Sequence, residues 1–211
     1  MARYERVALE APQGRWTETR LHTAGSAGLV GGVLYGFSTL LPETPVRTVA
    51  AALGGLFGLL AVVLLLLGIA GYHLRYGHRY GRPGTAFAAL TGLAVVGIGV
   101  GLVLNTTTTI PDPLAPEEAT LGGTVWFLSM LLGYLFATGY GVTLLRAGTP
   151  SRLGGVLLVS SIPLAVVVAL ALDAAGSTVE LVFTLPFGLA WAVLGYALWR
   201  DDATIAEPVE V

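Results

Sequence analysis

Residues 49–72 read VAAALGGLFGLLAVVLLLLGIAGY, 24 positions without a charged, amide or hydroxyl-aliphatic side chain. At 1.5 Å per residue such a helix runs roughly 36 Å, more than the ~30 Å hydrocarbon core of a bilayer. A helix at the surface of a soluble domain needs a polar face toward water, and this stretch has none. It therefore predicts a helix surrounded by lipid.

Outward from it the same pattern recurs near 24–41, 85–104, 122–145, 153–172 and 178–199, with the charges gathered into short islands between. Across the chain 55% of residues are hydrophobic and 11% charged, with a mean hydropathy of +0.77, against about 25% charged residues in soluble domains. The expected fold is all-α: a polytopic membrane bundle of six transmembrane helices over residues 21–200, with a polar segment at 1–20 and an acidic tail at 201–211. The first span is followed by Leu41-Pro42-Glu43-Thr44-Pro45. That segment offers no small-x-small cleavage site, so an uncleaved anchor is expected.

Arginine supplies all 11 cationic side chains, and its distribution sets the orientation, since Arg-rich loops stay in the cytoplasm. With six alternating spans, Arg3, Arg6, Arg15, Arg20, Arg75, Arg79, Arg82, Arg146, Arg152 and Arg200 fall on one side and Arg47 alone on the other. Both termini are thus expected in the cytoplasm, in a multi-pass protein of the cell membrane. The absence of Lys, abundant Ala, Gly, Val and Leu, and acidic outer loops point to a halophilic archaeon as source, with a high-GC bacterium as the alternative.

Small residues recur every four positions, which keeps them on one helix face. Examples are Ala24, Gly28, Gly32 and Gly36 in span 1, Gly97 and Gly101 in span 3, Ser129, Gly133, Ala137 and Gly141 in span 4, and Thr184, Gly188 and Ala192 in span 6. In lipid such faces are where helices associate. Packing within one bundle is expected, and a homo-oligomer built on span 1 is the sharper alternative.

The chemistry excluded is informative. The chain has no cysteine, hence no disulfide, thiolate metal site or cysteine nucleophile, and no lysine for Schiff-base chemistry. No ionisable group lies mid-span, so a carboxylate proton relay is disfavoured. His73 and His78 are five residues apart and diverge on one helix, so they are not a metal pair. With His22 they are expected as interfacial side chains. No cofactor, metal site, phosphate loop, Ser/His/Asp set or nucleic-acid-binding stripe is evident, and an enzyme is not expected. Asn105-Thr106-Thr107 matches the glycan acceptor pattern but lies at a span end, where helix capping is the expected role.

Two places attract functional expectation. In residues 72–82 tyrosines recur every four residues, and Arg75, Arg79 and Arg82 form another stripe. This predicts a continuation of helix 2 with Tyr at the interface and Arg against anionic lipid headgroups. Gly-Tyr pairs ending spans 2, 4 and 6 (Tyr72, Tyr140, Tyr196) are likewise read as interfacial anchors. The second place is the hairpin of spans 5 and 6, where Ser160, Ser161 and Pro163 face Thr184 and Pro186 at similar depth, with Asp173 and Glu180 at the outer mouth. Proline frees a carbonyl one turn upstream, and Ser or Thr can satisfy it. A solute or cation path is the chemistry such a pair of weak points would serve. The expected role is a non-enzymatic accessory, scaffold or partner-binding membrane component; a small transporter or channel for a neutral or weakly polar solute is the alternative.

Overall fold

The computed structural model describes residues 16–37, 49–107, 120–174 and 181–200. They form five α-helices and no strand: α1 (Trp16–Phe37), α2 (Val49–Thr107), α3 (Leu121–Arg146), α4 (Arg152–Ala174) and α5 (Leu181–Arg200). The polar start of the chain, the acidic connector 108–119, Glu180 and the tail lie outside the described residues.

Six expected segments become five helices because no loop separates spans 2 and 3. Helix α2 runs on from 72 to Tyr80, breaks at Gly81 (φ 60, ψ −164) and resumes at once. A positive φ is accessible to glycine because it lacks a Cβ. Pro83 follows in the first turn of the second arm, where its missing N–H costs nothing. Thr85 Oγ1 donates to the Gly81 carbonyl at 3.1 Å and closes the elbow. The arms, residues 49–80 and 82–107, fold back on each other. A methyl placed on Gly58 would meet Leu102, one on Gly92 would meet Leu66, and one on Gly99 would meet Val62.

Two helical stretches are long and apolar enough to cross a membrane, Gly54–Asn105 and Leu121–Arg146, and Arg152–Val167 is a shorter apolar one. The first of these contains the elbow.

The segments close into a ring in chain order. Helix α1 packs on α5 and on the first arm of α2, α3 packs on the second arm and on α4, and α4 packs on α5. Glycines set how closely they approach. A Cβ on Gly28 would lie 3.1 Å from Gly68 Cα and 3.2 Å from Gly195 Cα. One on Gly25 would lie 2.6 Å from the Trp199 backbone nitrogen, and one on Gly101 2.5 Å from that of Trp126. Gly32 meets Gly188 and Ala192 backbone, and Gly97 meets Ser129. In each pair the numbers fall on one helix as they rise on the other, so neighbours are antiparallel. The span 1 stripe is therefore covered by α5 and α2 of the same chain, and it is not a free face for a second copy.

Turn chemistry fixes the α3–α4 connection. Gly148 takes φ +62, and the Thr149 N–H and hydroxyl both donate to the Leu144 carbonyl, at 3.3 and 3.2 Å. Ser151 Oγ then accepts from Gly154 N–H at the start of α4. Thr120 caps α3 through Gly123 N–H and also donates to Asn105 Oδ1 at 2.7 Å. Asn105 thus ties the end of α2 to the start of α3.

Candidate functional site

The antiparallel ring gathers all seven described arginines, Arg20, Arg75, Arg79, Arg82, Arg146, Arg152 and Arg200, at one end together with the three histidines. From this Arg end an aromatic column runs into the bundle. Tyr72, Tyr76 and Tyr80 are 1%, 2% and 7% exposed, and Tyr140 is fully buried. The tyrosine stripe faces the bundle interior, which corrects its reading as an interfacial anchor; of the three Gly-Tyr tyrosines only Tyr196 is exposed. Arg75 and Arg79, three residues after Tyr72 and Tyr76, flank the stripe, with Arg79 against the Tyr76 ring, while the exposed Leu74 and His78 occupy the opposite face.

Within the column Tyr80 Oη lies 3.0 Å from Tyr140 Oη and 2.9 Å from His73 Nδ1. This chain joins the end of the first arm, the elbow and α3, and it leads from the axis to the half-buried His73. Deeper in, Trp191 stacks on Tyr140 (6.1 Å between ring centres) and abuts Phe187, against which Tyr134 and Tyr35 pack at 5.0 and 5.5 Å. Tyr134 Oη and Trp191 Nε1 are buried with no hydrogen-bond partner among the described residues. Beyond them, in the half away from the Arg end, a cavity of about 190 Å³ is bordered by Tyr35, Trp126, Thr184 and the glycines 54, 55 and 58.

Two grooves open at the Arg end. The larger, about 720 Å³ between α1 and the first arm of α2, carries Arg20, Arg75 and His78. The other, about 480 Å³ between α4 and α5, carries Arg152 and Arg200. Of the three arginines expected at a headgroup surface, Arg75 lines the first groove. Arg79 is exposed with its guanidinium 5.7 Å from the Tyr76 ring centre, and Arg82 is exposed past the elbow. Arg20 and His78 are additions that span boundaries alone did not group with Arg75.

The α4–α5 hairpin residues do not surround a shared cavity among those described. Ser161 and Ser160 donate to the Leu158 and Leu157 carbonyls of their own helix, at 2.7 and 3.4 Å. Thr184 donates across to the Gly36 carbonyl of α1 at 3.3 Å. Pro163 is exposed and Pro186 buried. Counting from the contact of Gly154 with Leu194 along the antiparallel pair places Pro163 level with Leu185 and Pro186. The Asp173 side chain and Glu180 lie outside the described residues. Among the described residues no group of three or more His, Cys, Asp or Glu could hold a metal ion.

No protein-family model, curated protein or solved structure matches the chain.

Proposed function

We propose that the chain crosses the bilayer six times with both termini and the Arg end in the cytoplasm, and that it acts there as a non-enzymatic scaffold or partner-binding component. Immersion in lipid is supported by an exposed apolar belt. Leu56, Leu60 and Val63 on the first arm, Leu93, Val96 and Val100 on the second, Leu128, Leu131 and Leu135 on α3, and Val156 and Val167 on α4 all point outward. A water-soluble monomer rarely exposes contiguous apolar patches beyond a few hundred Å². Six passes are supported by the antiparallel ring, whose helices are each at least 20 residues long once α2 is divided at Gly81. The orientation follows the arginines.

The scaffold role rests on one observation: the axis is filled by rings packed from Tyr35 to His73, with Tyr140, Tyr80 and His73 joined in a hydrogen-bonded chain at the Arg end. Bonded buried polar groups rigidify a core. Transport of a small neutral or weakly polar solute is the second reading, favoured by the cavity at Tyr35 and Thr184 and by the two prolines at equal depth. Melting of the purified chain separates them. A scaffold shows no shift across a panel of small polar solutes and co-purifies with one stoichiometric membrane partner. A specific solute that raises the melting temperature contradicts the scaffold and supports transport.

A further inference from the structure

We propose that the groove between α1 and the first arm of α2 binds one anionic phospholipid. Its headgroup sits against Arg20, Arg75 and His78, and an acyl chain lies along Leu67, Ala70 and Leu74. The inference rests on the membrane reading above and adds a ligand and a site to it. The groove is polar at the Arg end and apolar away from it. From His78 to Leu67 is eleven residues, about 16 Å of helix, which carries a bound molecule from headgroup depth well into hydrocarbon. Its floor is made where small residues bring the two helices together, Ala24 against Gly71, so the larger flanking side chains stand as walls.

Charge complementarity selects the headgroup: two arginines and a histidine line the polar end. The apolar wall selects a lipid over a free anion. Leu74, one position from Arg75, is 78% exposed, more than any other large hydrophobic residue described. An acyl chain covers it, whereas inorganic phosphate gains nothing there.

The test uses the full chain, purified in neutral detergent and delipidated, with dioleoyl phosphatidylglycerol, dioleoyl phosphatidylcholine or inorganic phosphate added, and reads bound lipid by native mass spectrometry alongside melting. Phosphatidylglycerol is expected to be retained and to raise the melting temperature, and the other two are not. R20Q/R75Q should retain one phosphatidylglycerol fewer, with affinity about fivefold weaker per arginine removed. R82Q, equal in charge lost per site but outside the groove, should match the parent. L74Q keeps the cations, so it should weaken phosphatidylglycerol binding even if the double variant proves too unstable to assay. Equal retention by the parent, R20Q/R75Q and L74Q overturns the site. So does stabilisation by phosphate alone, or a dimer that disappears in the same variants, which would assign the groove to a second copy. Carbonate-washed membranes keep the two failures apart. A chain that stays in the membrane pellet but shows no groove-dependent lipid refutes this inference alone; a chain released by carbonate refutes the membrane reading beneath it.

Discussion

The two halves of the bundle interior bury the same kinds of side chain under different terms. Toward the Arg end Tyr140, Tyr80 and His73 close a chain of hydrogen bonds at 3.0 and 2.9 Å. In the other half Tyr134 and Trp191 are packed as tightly, yet their polar atoms have no partner among the described residues, and a cavity of about 190 Å³ lies beyond them. Burial alone therefore says little about what a polar ring contributes. A partnered hydroxyl adds stability, and its removal strands two neighbours, whereas an unpartnered one already bears its desolvation cost. The Arg-end half thus holds the hydrogen-bonded chain, and the other half holds the cavity.

The largest effect should come from G32L, because the α1–α5 seam crosses both halves and Gly32 lies directly on Gly188 and Ala192 backbone. A leucine there forces the helices apart, and a loss of about 3 kcal/mol or more is expected by thermal unfolding in detergent. A variant that melts with the parent would break the ring arrangement. Next comes Y80F, which removes the middle member of the hydrogen-bonded chain and leaves Tyr140 and His73 without it. A loss of about 1–3 kcal/mol is expected, together with faster amide exchange around the elbow at Gly81. The smallest effect belongs to Y134F. Deleting a hydroxyl that has no partner should leave stability within about 0.5 kcal/mol of the parent or raise it. If Y134F cost as much as Y80F, the contrast between the halves would disappear.

Helix positions were legible from long unbroken apolar runs: the run near 122–145 is Leu121–Arg146, and the one near 153–172 is Arg152–Ala174. The four-residue stripes of small residues were legible because that spacing keeps them on one helix face, where backbones can approach closely. The elbow was not. Three glycines, a proline and three arginines between 75 and 84 resemble a loop, while a single positive φ at Gly81 suffices to turn the chain. The tyrosine stripe was visible, but its direction was misread. Period four says which residues share a face and is silent on which way that face looks. His73 and Tyr80, seven residues or two turns apart, were similarly readable as neighbours on one face. At the α4–α5 hairpin sequence does not show that Thr184 reaches α1 while Ser160 and Ser161 bond within α4.

Topology is tested most directly with single cysteines, for which this cysteine-free chain is a clean background. Pro150 is exposed in the α3–α4 turn at the Arg end, whereas Thr149 beside it is buried and bonded to Leu144, so P150C is the better probe. In intact cells an impermeant thiol reagent should label A115C, in the acidic connector, and leave P150C unlabelled until the membrane is permeabilised. Labelling of P150C but not A115C would invert the orientation, and labelling of both in intact cells would contradict the six-pass account.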